Sequence, residues 1–248
     1  RAQPLATRKR QCAYNSANAA AHNNGPIFMP DNSISNWFAS LAGTSARPSV
    51  LVKALSPRDR RRMLRHFLAL DDADRLLRFG TVLPDAQIEV YVGKIDFARD
   101  IVFGVVSRGF QLVGVGHLAF APPEPGRTGA TAKQRVAEFG VSVSKSARGQ
   151  GVGSRLFERA AIHCRNSDID TLYMQCLSSN RTMMHIAKKA GMEIKREYGE
   201  ADAYLHLPPP SPGSVMREAL EEQFAVIDYT VKANARAAVK WFRPRKRP

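Results

Sequence analysis

The residues best able to do chemistry lie in one run, Ala137-Glu138-Phe139-Gly140-Val141-Ser142-Val143-Ser144-Lys145-Ser146-Ala147-Arg148-Gly149-Gln150-Gly151-Val152-Gly153-Ser154. It reads as a strand, a short turn holding three glycines, and the first turn of a helix. A helix N-terminus leaves about four backbone N–H groups without intrahelical acceptors, and such a row of donors suits a pyrophosphate. Glycine at 149, 151 and 153 keeps Cβ atoms out of the path between phosphate and backbone. The spacing Arg148-x-x-Gly151-x-Gly153 has neither the lysine of a P-loop nor the triple glycine of a dinucleotide fingerprint, which argues against ATP or NAD. Alternation along the strand puts Glu138, Gly140 and Ser142 on one face and Phe139, Val141 and Val143 on the other.

The elements that must position this run follow from periodicity. The pattern predicts a strand over 49–55, with Ser56-Pro57 capping a helix over 58–70, and further helices over 71–79 and 85–97. Strands over 101–107 and 110–120 are joined by a tight Arg108-Gly109 turn, and a fourth strand covers 134–144 after a Pro/Gly-rich loop. A helix over 152–164 comes next, then a strand over 170–177, a helix over 181–190 stopped by Gly191, and strands over 193–198 and 203–207. The resulting order, β-α-α-α-β-β-β-α-β-α-β-β, is that of a mixed sheet with helices on its faces. Residues 1–45 read as a disordered or loosely docked leader with one apolar patch at Ile34, Trp37, Phe38 and Leu41. Its start is free of acidic residues, as in a transit peptide, but lacks clear amphipathic periodicity. Residues 209–248 read as an amphipathic helical extension with a basic tail, expected to pack on the domain or, in a homodimer, on a second copy.

The net charge is +15 over 248 residues, divided as +3, +8 and +4 among 1–45, 46–208 and 209–248, so the central segment is itself basic. Such a field draws nucleic acid, an anionic membrane surface or a phosphorylated cofactor. No apolar run approaches the roughly 18–20 residues of a membrane span, so a cytoplasmic protein is expected. Cys12, Cys164 and Cys176 form no CxxC and read as reduced thiols, and the six scattered histidines support no metal site.

The glycine-rich run resembles the CoA-binding signature of the GNAT superfamily of N-acetyltransferases, the R/Q-x-x-G-x-G/A turn after that family's fourth strand. Asn180, then Ala187-Lys188-Lys189-Ala190-Gly191-Met192, resembles the family's later helix. The resemblance spans about 50–207 and makes 46–208 an acyltransferase domain. It implies an α/β (α+β) fold: a mostly antiparallel sheet of six to seven strands, helices on both faces, split between the fourth and fifth strands. It also implies acetyl-CoA as acyl donor and an amine as acceptor. On this resemblance the backbone of Val141, Ser142 and Val143 meets the pantetheine arm, and Arg148, Gly149, Gln150, Gly151, Val152, Gly153 and Ser154 hold the pyrophosphate. Asn180 touches the pantetheine or the helix start, and Glu138 is the base that deprotonates the amine. One departure stands out: Ala187 occupies the position where many members carry a tyrosine that protonates the leaving thiolate.

Other candidates have plainer readings. His117 reads as a satisfied core histidine, His185 and the Lys188-Lys189 pair as surface, and Cys176 as a small buried hydrophobe. The arginines at 58, 60, 61 and 62 lack the interleaved aromatics of a single-strand nucleic-acid platform and read as solvated helix surface. Specific nucleic-acid binding is therefore not expected. A non-catalytic CoA-binding regulatory module is the alternative to an enzyme. A basic domain favours neutral or anionic acceptors unless the cleft is locally acidic.

Overall fold

Apolar stretches rich in valine, separated by turn residues, assemble the centre of the molecule into a seven-stranded sheet. The computed structural model describes residues 50–120 and 136–242. The leader with its Trp37 patch, the Pro/Gly-rich loop and the basic tail lie outside the described residues. The strands are β1 (Lys53–Ala54), β2 (Ile101–Val106), β3 (Leu112–Phe120), β4 (Val136–Val143), β5 (Thr171–Leu177), β6 (Glu193–Glu197) and β7 (Glu200–His206), in spatial order β1-β2-β3-β4-β5-β7-β6. Every pairing is antiparallel except β4 with β5, which is parallel.

The parallel pair is short. Val136, Ala137 and Glu138 face Thr171, Leu172 and Tyr173, and the pairing ends there, although β4 continues to Val143 and β5 to Leu177. The expected split between the fourth and fifth strands is thus present, with Glu138 and Tyr173 at its apex.

Helices α1 (Arg60–Leu68), α2 (Asp72–Phe79) and α3 (Asp85–Gly93) cover one face, where Met63, Phe67, Ile88 and Val92 pack on Val102 and Val115. Helices α4 (Val152–Asn166) and α5 (Arg181–Lys189) cover the other, with Leu156, Phe157 and Ala187 against Phe139, Leu172 and Met174. Local chemistry sets the helix ends. Asp71 caps α2 by accepting the Asp74 N–H at 2.9 Å, and Gly80 ends it in the left-handed region at φ +71°. Asn180 caps α5 by accepting the Met183 N–H at 3.1 Å.

Several local expectations changed: α3 stops at Gly93 rather than 97, and the last strand begins at Glu200 rather than 203. The first strand is two residues long, because only Lys53 and Ala54 register with β2. The β2–β3 turn is wider than Arg108-Gly109, and its positive φ falls on Phe110 at +61°. Tertiary packing explains the choice: the Phe110 ring lies 5.0 Å from Tyr229 and beneath the Arg62 guanidinium at 4.3 Å.

Helix α6 (Pro212–Phe242) runs back over α4. Arg159, nearly fully buried, reaches Glu218 at 2.7 Å and Glu222 at 3.0 Å, while His163 and Asn166 also bond Glu218. The opposite side of α6 exposes Met216, Leu220, Phe224, Ile227 and Val231 at helical spacing. Burial works to raise the Glu218 carboxyl, but the hydrogen bonds from His163, Asn166 and Arg159 outweigh it and hold the pKa at about 2. Because the unfolded chain protonates first as pH falls, this contribution is whole above about pH 4.5 and is lost toward pH 2. Urea unfolding of the parent should therefore weaken across that window by about 2 kcal/mol more than that of Glu218→Gln, allowing for partial exposure. Parallel pH profiles for the two proteins would refute it.

Candidate active site

The glycine-rich turn forms an open cradle. A short 3-10 turn, Lys145–Ala147, leads from β4 into it. Gly149 and Gly151 have φ of +72° and +79°, and nothing stands within 4 Å of where a Cβ would be. An L side chain there is strained by the backbone alone, so glycine is needed for conformation and the space above it is free for a ligand. Arg155 N–H reaches the Gly151 carbonyl at 3.0 Å, and the amides ahead of it belong to the unpaired first turn of α4. Gly153 brings that turn against α5, its virtual Cβ 3.4 Å from Ile186 Cδ1. The cradle therefore fits a diphosphate by backbone alone.

Its side chains are already engaged. Arg148 donates to the Val143 carbonyl at 3.2 Å and pairs with Asp74 at 2.6 Å. Lys145 pairs with Asp71, and Gln150 donates to the Ser146 carbonyl at 3.0 Å. Val152 is buried and Ser154 half-buried.

Strand pairing fixes what shares the face of Glu138. His117 stands opposite Gly140, and Val115 opposite Ser142. Across the apex, Tyr173 stands beside Glu138, and Tyr204 beside Tyr173. The predicted alternation holds: Phe139, Val141 and Val143 turn toward α4, while Glu138, Gly140 and Ser142 turn toward α1–α3. Asp202 lies on the Glu138 face and accepts the Tyr173 hydroxyl proton at 2.6 Å. Burial first, then Asp202, push the Tyr173 phenol well above its ordinary range, and the Glu138 charge adds to the shift.

Over Gly140 lies Arg78 of α2. A Cβ on residue 140 would stand 2.7 Å from Nη1 and 2.8 Å from Cζ and Nη2, so the guanidinium rests on the strand only because residue 140 is glycine. Arg78 Nη2 donates to Tyr91 Oη at 2.9 Å, Tyr91 bonds His117 Nδ1 at 2.9 Å, and His117 Nε2 bonds Asp100 at 3.0 Å. His117 is the buried, hydrogen-bonded histidine expected from sequence.

Ser142 is buried, and its hydroxyl lies 2.7 Å from His66 Nε2. His66 Nδ1 faces the Leu112 carbonyl at 3.1 Å, which can only accept, so Nδ1 carries the hydrogen and Nε2 accepts from Ser142. Asn180 is the α5 cap described above. Ala187 is fully buried in the core, so the tyrosine position of this helix does not open on the split. Tyr198 is fully exposed at the β6–β7 turn.

Sequence reasoning missed Arg78, His66, Tyr91 and Asp202. Apart from its strands, the signal for the Arg78 seat was Gly140, a glycine inside a strand, which marks close approach of another group. Two of the arginines read as solvated serve the fold instead: Arg60 bonds carbonyls at the end of α3, and Arg62 pairs with Asp59 at 2.9 Å. Cys176 is buried, and burial pushes its thiol up to about 11.

The family model for the acetyltransferase (GNAT) family matches residues 69–192, half of the chain. Among solved structures, the chain is similar to the GNAT domain of PAT from S. lividans at 21% identity and TM-score 0.52, over 64% of this chain and 95% of that one. It is also similar to an N-acetyltransferase from Staphylococcus aureus Mu50 at 16% identity and TM-score 0.49, over 65% and 100%. A third, yncA from Salmonella typhimurium, whose structure holds its cofactor acetyl-CoA, shows 12% identity and TM-score 0.48 over 66% and 97%. No curated protein matches the chain.

Burial, followed by the opposing bond to Leu112 and the Arg78 charge, leaves the His66 pKa lowered to about 4. Imidazole nitrogen NMR should accordingly show a neutral Nδ1–H ring at pH 7 that titrates near pH 4. A midpoint at or above 6 would contradict the Ser142–His66 geometry.

Proposed function

Because the chain belongs to the acetyltransferase (GNAT) family, a class that transfers acyl groups from acetyl-CoA, we propose that it moves the acetyl group to a primary amine by direct transfer in a ternary complex. The observation that carries this reading is the early end of β4–β5 pairing beside the open 149–151 cradle. The cradle amides of 148–154 hold the diphosphate, the unpaired edge at Val141 and Val143 receives the pantetheine arm, and an edge N–H polarises the thioester carbonyl. Ser142 offers the arm no free group, since its hydroxyl is given to His66 and its backbone pairs with Val115 in the β3 ladder. Asn180 acts through the start of α5, which it caps.

Glu138, at the apex, takes the proton that the attacking amine must lose. Direct transfer is favoured over an acyl-enzyme by the state of the nearby nucleophiles. Ser142 and Cys176 are both buried, and the thiol of Cys176 is raised rather than activated. The departing thiolate has no dedicated acid in this reading: Ala187 sits in the core, and Asp202 keeps the Tyr173 proton in place. That lack also supports the alternative, a CoA-binding regulatory module without turnover.

The domain of this activity is 46–208, with α6 as an extension anchored through Glu218. Our reading places the contact of a homodimer on the exposed apolar stripe of α6. Among the described residues no helix is long and apolar enough to cross a membrane. The free thiols of Cys164 and Cys176 fit a cytoplasmic setting.

Calorimetry should detect CoA binding in the parent and its loss in Gly151→Trp. Glu138→Gln should keep CoA affinity and lose about 10²- to 10⁴-fold in kcat/KM on amines. Unchanged turnover in Glu138→Gln would remove Glu138 from the reaction. CoA binding without turnover on any amine would favour the regulatory module.

A further inference from the structure

Arg78 is a half-buried cation with no counter-ion among the described residues. Among the described residues no carboxylate pairs with it, and its buried Nε has no hydrogen-bond partner. The contrast on the same helix is direct, because Arg75 pairs with Asp85 at 2.7 Å and bonds three backbone carbonyls. Withdrawing a guanidinium partly from water without a partner is unfavourable, and such groups are kept where a ligand supplies the missing charge.

The guanidinium is also held still. Its Cζ lies 5.1 Å from the Phe79 ring, 5.7 Å from Tyr91 and 5.9 Å from Phe67, and Nη2 is fixed by Tyr91. Behind Tyr91, His117 and the buried Asp100 complete the support. The fold thus orients Arg78 over Gly140 and leaves Nη1 and Nε without a protein acceptor in these bonds.

Glu138 lies two residues back on the same strand face, so the two Cα positions 138 and 140 are about 6.5–7 Å apart. A carboxylate at the apex and a guanidinium over the next position on the same face offer one partner for each end of a zwitterion. Resting on the acetyltransferase reading, we propose that Arg78 docks a carboxylate of the acceptor, which makes the acceptor a free amino acid. Its amine faces Glu138 and its carboxylate faces Arg78. A polyamine or a lysine side chain within a polypeptide brings no carboxylate near the amine and leaves Arg78 unpaired.

Two measurements test this. In turnover with acetyl-CoA, free amino acids should exceed their carboxamides in kcat/KM by about 10- to 100-fold, the worth of charge-assisted hydrogen bonds. In Arg78→Gln the acid-to-amide ratio should fall toward one, with partial recovery in Arg78→Lys. A ratio near one in the parent, or one that survives Arg78→Gln while both rates drop together, would overturn the proposal. The second measurement needs no turnover: calorimetry of the CoA-loaded protein with N-acetylamino acids against their amides. The acids should bind more tightly in the parent and lose that advantage in Arg78→Gln; equal affinities in the parent would overturn the proposal. Failure of the acetyltransferase reading is distinguishable, since it appears as absence of CoA binding in the parent or as CoA binding without turnover on any amine.

Discussion

A sheet interior gives each backbone N–H and C=O a partner, and β4 breaks that rule on one side. It pairs with β3 up to Val143 but with β5 only as far as Glu138. The stretch from Phe139 to Val143 is therefore a polar edge inside the molecule rather than at its border. An unpaired edge exposed at a border is a hazard that proteins cover or blunt, and a polar backbone group left unmet when buried costs about 1–3 kcal/mol. An extended ligand with amide groups meets that edge as a strand would. The cradle at the far end of β4, the carboxylate at the apex and the guanidinium over Gly140 are all placed relative to this one gap.

The two faces of the gap are built by opposite means. Toward α4 the rule is close approach: a Cβ on Gly114 would stand 2.6 Å from Val152, and one on Gly116 would stand 3.0 Å from Phe139. Gly114 lets the start of α4 press onto the sheet, which aims its first-turn amides at the mouth of the split, and Gly116 makes room for the Phe139 ring beneath it. Toward α1–α3 the rule is hydrogen bonding. Ser142 is tied to His66, and Gly140 is roofed by Arg78, Tyr91 and His117. In the proposed reading one face fixes where the donor lies, and the other is chemically differentiated enough to choose the acceptor.

How much of this was legible follows from the range of each interaction. The cradle was legible because glycine spacing and helix start are local signals within eight residues. The element order was legible because the strands and helices differ in period. The position of the split came from resemblance, since no residue of β4 or β5 announces where parallel pairing stops. Phe110 adopts a left-handed φ that its own turn gave no reason to expect, because the partners that hold it, Arg62 and Tyr229, are far away in sequence. Arg78 looked like any arginine on an amphipathic helix. Its role depends on Gly140, Tyr91 and His117, three residues from different elements that only the sheet register brings together.

Magnitudes also decide how the engaged cations of the cradle should be regarded. Arg148 and Asp74 form a pair whose arginine is nearly half exposed but whose carboxylate is largely buried, so it is worth more than the about 0–1 kcal/mol of a fully exposed pair. A diphosphate offers Arg148 further charge-assisted hydrogen bonds on its solvent side. The acidic start of α2 orients Arg148 without capturing it. The situation of Arg78 is the reverse, because no carboxylate among the described residues pairs with it and its surroundings are aromatic. The overall +15 field then acts at long range, drawing in a polyanionic donor, and is screened over about 8–10 Å in salt. Inside the split, acceptor choice in the proposed reading rests on the few local charges, Glu138 and Asp202 on one side and Arg78 on the other. In the proposed reading a basic protein thus keeps a local acidic seat for an amine, and the zwitterionic acceptor agrees with the neutral or anionic class that its net charge favours.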